Sequence, residues 1–147
     1  PATLARLAEL PRIAGVKDAT GDLARPWVER QLIKKPFAWL SGEDATAVAY
    51  NIGGGQGCIS VTANVAPKLV AEVQNLALAG EWQAARELQD KLIPLHQAMF
   101  AEPSPAGAKY AVSLLGLCSE ECRLPVMPLS EATRERIRSA MQALNLL

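Results

Sequence analysis

Histidine is almost missing from this sequence: His96 is the only one in 147 residues. A protein zinc site takes about four ligands. The three cysteines, Cys58, Cys118 and Cys122, do not complete such a set with one distant imidazole, so no metal is expected. Cys118 and Cys122 flank Ser-Glu-Glu and read as free thiols. An odd cysteine count points to reduced thiols and a cytoplasmic setting. Net charge is missing as well, with 15 basic residues against 15 acidic. Nucleic-acid binders and membrane-surface proteins carry a basic excess, so neither a nucleic acid nor a membrane is expected as a partner. No apolar run approaches the ~20 residues of a membrane span. No charged n-region with an apolar h-region opens the chain, so no signal peptide is read. There is no repeat and no low-complexity tract. The first residue is Pro1, without an initiator Met, and a helical pattern is under way by Leu4.

What is present is apolar residues, half of the total, enough for one domain with a core. The first half alternates. Leu4, Leu7 and Leu10 mark a helix end. "RIAGVK" reads as a strand and "LARPWVERQLIKK" as a helix, with Pro26 tolerable in its first turn. "FAWLSG" is a second strand. Asp44 can cap "ATAVAYNI", where Val48, Ala49 and Ile52 share a face. "GGGQG" breaks the pattern and "CISVTA" is a third strand. These strands are continuous and apolar, as when both faces are covered. Their alternation with helices predicts parallel βαβ units.

The second half reads as helix throughout. "PKLVAEVQNLALAG" starts at Pro67, carries Leu69, Val70, Val73 and Leu76, and ends at Gly80. "EWQAARELQDKLIPLHQAMF" places Trp82, Ala85, Leu88, Leu92, Leu95 and Met99 on one side, with a kink expected at Pro94. "SPAGAKYAVSLLG" has Ser104 as N-cap, Pro105 at the first helical position and Gly116 just past the end. "SEATRERIRSAMQALNLL" is capped by Ser130 and buries Ile137, Met141 and Leu144. Three strands cannot close a barrel, and an open parallel sheet would leave apolar edges unpaired. More chain upstream is therefore expected.

Lys17 ends the first strand and supports two readings. In one, the ammonium marks where the strand meets water and snorkels outward. In the other, the stem is held at the mouth of a barrel. Desolvation then lowers the amine pKa and frees a nucleophile that forms a Schiff base with a carbonyl. "LSGED" ends the second strand, where Gly42 lets backbone approach a ligand; taken on its own, it reads as an ordinary turn with Asp44 as a helix cap. "GGGQG" lacks the Lys-Ser/Thr of a phosphate loop and precedes a strand, so it reads as a tight turn. His96, Lys109 and Tyr110 read as structural.

The strings "GVKDATGD", "LSGEDATAV", "GGGQGCISVTANVAP", "LIPLHQAMFAEPSP" and "RLPVMPLS" occur in this order across essentially all 147 residues. In this the chain resembles the dihydrodipicolinate synthase family, within the wider N-acetylneuraminate lyase-like class I aldolases, which share the lysine motif. The resemblance implies an α/β fold: the C-terminal part of a (β/α)8 TIM barrel, its last three strands, followed by a C-terminal helical region. Residues 1–66 would form the partial barrel, and 67–147 the last barrel helix and the helical region. It implies a lyase that condenses pyruvate with L-aspartate-β-semialdehyde on the diaminopimelate route to lysine. Lys17 matches the family's Schiff-base lysine, and Gly42 and Ile59 match residues that present backbone to the pyruvyl group. No cofactor is implied, since the imine forms with the substrate itself. The implied partners are a second copy, as in the family tetramer, or a complementing N-terminal half. The proton relay and the second-substrate arginine would lie upstream of Pro1, leaving this chain weak or inactive alone. Asp18 stands where glutamate is common, Cys58 where valine is common, and Gly53 where a larger apolar residue is common. Two alternatives stay open: another pyruvate-dependent aldolase, and a non-catalytic assembly module.

Overall fold

The computed structural model describes residues 1–147. In chain order the elements are α1 (Ala2–Ala8), β1 (Gly15–Asp18), α2 (Arg25–Leu32), β2 (Ala38–Ser41) and α3 (Ala47–Ile52). A 3-10 turn (Thr62–Asn64) follows, then α4 (Pro67–Leu78), α5 (Trp82–Met99), α6 (Ala106–Leu114) and α7 (Glu131–Ala143). β1 and β2 pair in parallel, in the register Val16 to Trp39, Lys17 to Leu40 and Asp18 to Ser41. β1 stops where the Asp18 carboxylate turns back to accept from the Thr20 backbone N–H (2.9 Å) and hydroxyl (2.7 Å). Such a local side-chain bond competes with ladder pairing and starts a turn.

This corrects the expected fold class. Three barrel strands are not formed: the sheet has two strands only. The residues expected as a third strand make one isolated bridge, Ser41 to Cys58. The cause lies in their hydrogen bonds. Ile59 N–H still donates to the Ser41 carbonyl at 2.8 Å. Beyond it, Val61 and Thr62 give their N–H groups to the Asp44 carboxylate at 2.9 and 3.3 Å. The chain then bends into the 3-10 turn. Asp44 is therefore not the cap of α3. No side chain caps α3; the Glu43 carboxylate instead holds the turn before it, accepting from Ala45 N–H at 3.0 Å and Thr46 N–H at 2.7 Å. The expected apolar face of α3 is corrected too. Ala47, Val48, Tyr50 and Asn51 are its buried residues, while Ala49 and Ile52 are exposed.

The helical half follows its sequence pattern more closely. Gly80 has φ +82°, and Glu81 N–H reaches back to the Leu76 carbonyl at 2.9 Å, closing α4 as only a left-handed residue allows. α5 runs through Pro94 as one helix of 18 residues. Ser130 caps α7, its hydroxyl accepting from Thr133 N–H at 3.3 Å. Ser104 does not cap α6; Pro105 occupies the cap position, with no side-chain bond. Leu95, Met99, Tyr110, Ala111, Ile137 and Met141 pack into the largest core cluster. Val48 of α3 joins Val70, Val73 and Leu92, tying the sheet-bearing part onto α4 and α5. No helix is long and apolar enough to cross a membrane.

Candidate functional site

Along β1, side chains alternate between the two faces. Asp18 is buried and Lys17 is exposed on the other side. The pairing continues one step past the strands, where Gly42 N–H donates to the Asp18 carbonyl at 2.7 Å. That step brings Gly42 directly beneath the lysine stem. A Cβ on Gly42 would lie 2.7 Å from Lys17 Cε, 2.9 Å from Cγ and 3.0 Å from Ala19 Cβ. Only glycine allows the stem to lie this close. On the next segment the Ile59 N–H bond to Ser41 places Ile59 beside Gly42; Ile59 is itself exposed. Lys17, Gly42 and Ile59 thus sit on three adjacent segments, at the end where β1 and β2 terminate.

A polar layer that the sequence reading missed supports this end. Ser60 Oγ donates to Asp44 Oδ1, and Ala63 N–H donates to Ser60 Oγ at 2.9 Å. Gln89, seven residues into α5, donates from Nε2 to the Asp44 carbonyl at 2.8 Å. Two turns of α5 further on, Thr62 Oγ1 meets His96 Nδ1 at 2.7 Å. Asp44, Thr62, Gln89 and His96 are all buried. His96 keeps the structural role expected of it. Burial lowers its pKa, with Asp44 and Glu43 partly opposing. Asp44 was visible in sequence only as a cap candidate. Its true partners lie 16 to 45 residues away, beyond any local pattern.

Cys58, in the bridge to Ser41, is no nucleophile at neutral pH. Burial, then Asp44, push its thiol up to about 12. On the far face of β1, Asp18 and Glu29 are buried around Arg25, whose Nε lies 3.9 Å from Asp18 Oδ2 and 2.7 Å from Glu29 Oε1. Tyr50 shares that layer. Burial first, then these carboxylates, push its hydroxyl up to about 12. No three His, Cys, Asp or Glu side chains are grouped to hold a metal ion. A separate groove of about 310 Å³, against Ala106, Cys122, Val126 and Arg134, includes none of the three candidate residues.

Comparison with known proteins shows what the whole chain is similar to. Residues 1–144 match the model of the dihydrodipicolinate synthetase family. The 4-hydroxy-tetrahydrodipicolinate synthase of Ruegeria pomeroyi is 57% identical over 147 residues, covering 100% of this chain and 51% of the relative. That of Acidiphilium cryptum is 56% identical over 146 residues, 99% of this chain and 50% of the relative. Among solved structures, the chloride-inhibited dihydrodipicolinate synthase of Acinetobacter baumannii complexed with pyruvate superposes with a TM-score of 0.91 at 40% identity, covering 99% of this chain and 50% of that one. The Thermotoga maritima enzyme superposes with a TM-score of 0.93 at 36% identity, covering 100% and 51%. The chain spans about half the length of the curated relatives it matches. With two strands in that half, the expected C-terminal barrel segment of three strands is not retained. A match running through 144 of the 147 residues decides the family: the chain belongs to the dihydrodipicolinate synthetase family.

Proposed function

We propose that Lys17 is the Schiff-base nucleophile of a pyruvate-dependent synthase, acting in the whole protein of which this chain spans about half the relatives' length. The observation that carries the reading is the seat of the Lys17 stem on Gly42. A lysine merely marking the strand end needs no glycine beneath it. A nucleophile held against a bound ligand needs both a fixed stem and a low neighbour.

In this reading Lys17 Nζ, as free amine, adds to the C2 carbonyl of pyruvate. Water leaves and the imine forms. The protonated imine draws electrons from C3, which loses a proton and attacks the aldehyde carbon of L-aspartate-β-semialdehyde; the C=O π bond opens, its oxygen takes up a proton, and an amine or water later displaces Lys17 from the imine. One C–C bond is made. The bound group is the substrate itself, so no further cofactor enters. Gly42 and Ile59 present backbone beside the pyruvyl group. General acid–base help is assigned to groups outside these 147 residues, and such help is worth about 10²–10⁴ in rate. That the relatives are 4-hydroxy-tetrahydrodipicolinate synthases supports this reaction, and one superposing structure is complexed with pyruvate. A homo-oligomer working in the cytoplasm, with residues 1–66 carrying the site and 67–147 bracing it, completes the proposal.

The test is intact mass after incubation with pyruvate and borohydride. A reduced pyruvyl adduct mapped to Lys17 is expected. An adduct on another lysine, or none in the full-length protein, would refute the assignment.

A further inference from the structure

Ile59 lies on a segment that has lost its sheet. One bridge joins it to β2, and past it the N–H groups of Val61 and Thr62 both go to a side chain. One buried carboxylate supplies nearly all of that support. Asp44 Oδ1 accepts from Ser60 Oγ. Oδ2 accepts from Val61 N–H at 2.9 Å and Thr62 N–H at 3.3 Å. Asp44 is in turn held from behind, because Gln89 of α5 grips its carbonyl at 2.8 Å and that of Ala45 at 3.3 Å. Asp44 also stands two residues after Gly42. It therefore couples the Gly42 segment, on which the Lys17 stem lies, to the neighbouring Ile59 segment.

We infer that Asp44 is a positioning residue: by binding Ser60, Val61 and Thr62 it holds the Ile59 backbone beside Gly42 and Lys17, and so sets the affinity for pyruvate. It touches no substrate. The inference rests on the Schiff-base reading above. Carboxylate is the right group for this role. It offers two acceptor oxygens and no donor, and three donors converge on it. An amide in its place would turn one N–H pair toward groups that also donate.

Two readouts on the full-length protein test this, with Asp44→Asn as the main variant. Hydrogen exchange at the Val61 and Thr62 amides reads the latch. Borohydride trapping over a pyruvate series reads its consequence. In Asp44→Asn, faster exchange at 61 and 62 is expected, with half-saturating pyruvate raised roughly tenfold and trapping at saturation little changed. Exchange that stays slow at both amides overturns the latch. Fast exchange with unchanged half-saturation overturns the positioning role. Ser60→Ala removes one donor and leaves the carboxylate in place. If Asp44→Asn does not fold, Ser60→Ala decides, with a rise of several-fold expected and an unchanged value refuting the role. A wild-type protein that traps no pyruvate defeats the Schiff-base reading instead, and with it the affinity role; exchange still decides the latch.

Discussion

The helical half of this molecule closes on itself, and the strand-bearing half does not. From Val65 onward, the main cluster gathers eleven buried residues, with Leu95, Ile137 and Met141 wholly excluded from water. The cluster around β1 and β2 has five, Ala8, Ile33, Phe37, Trp39 and Tyr50. Six buried side-chain atoms lack a hydrogen-bond partner; five belong to Asp18, Glu29, Arg30, Tyr50 and Asn51, and the sixth to His96. Buried polar groups are normally paired, so the strand-bearing half keeps an unsettled polar layer. The physical reason is geometrical. Helices satisfy their backbones internally and need only an apolar stripe to pack. A parallel strand needs neighbours on both edges, and β1 has one. The candidate site and the main core are thereby separated: the candidate residues sit at the strand-bearing end, braced from the helical one by Gln89 and His96.

The largest effect that would sharpen this separation is Lys17→Ala. The trapped pyruvate adduct should vanish. Thermal unfolding should stay within about 0.5 kcal/mol of wild type, because the side chain is exposed. A large loss of stability would mean that the lysine stem belongs to the core after all. Next in size is a pair of truncations. Leu95→Ala, in the helical core with no exposed surface, should cost about 2–5 kcal/mol in urea melts. Ile33→Ala, in the strand-bearing cluster, should fall at or below the low end of that range. Equal losses would erase the contrast between the two halves.

How much of this could be read from sequence follows the same division. Helices α4, α5 and α7 were legible because their signals are local: Pro67 at the start, Gly80 at the end, Ser130 as cap. Lys17, Gly42 and Ile59 stand out only through the family resemblance, and spacing alone does not bring them together. "CISVTA" failed as a strand because apolar continuity says nothing about where backbone hydrogen bonds go. Asp44 captured those bonds from 16 to 18 residues away. The α3 face failed because the helix is only six residues long, less than two turns. Periodicity cannot choose a face over that length.

A smaller effect probes the floor of the site. Gly42→Ala would put a methyl group within 2.7 Å of the Lys17 stem. The lysine chain is flexible and can swing away, so folding should lose about 1 kcal/mol or less. Trapping at low pyruvate should fall much further than stability. If both stayed at wild-type levels, the stem would not need its seat.

The smallest effect concerns His96, the imidazole among the bracing groups. Burial holds its folded pKa below the ordinary value, with Asp44 and Glu43 partly opposing. An unfolded histidine titrates near ~6.5, so below that pH the unfolded chain binds the extra proton first. The contribution is therefore fully present above about pH 6.5 and is lost as pH falls through the lower folded value. Other groups titrate too, so the measurement is a difference. Urea midpoints between about pH 5 and 7 are compared for wild type and His96→Asn. Asparagine can keep a bond to Thr62 but cannot be protonated. The variant should show a shallower decline at the acid end. An identical slope would place the titrating group elsewhere and leave His96 a packing residue only. A shallower slope would show that acid loosens the brace between α5 and the Thr62 turn, the same turn that Asp44 holds from the other side.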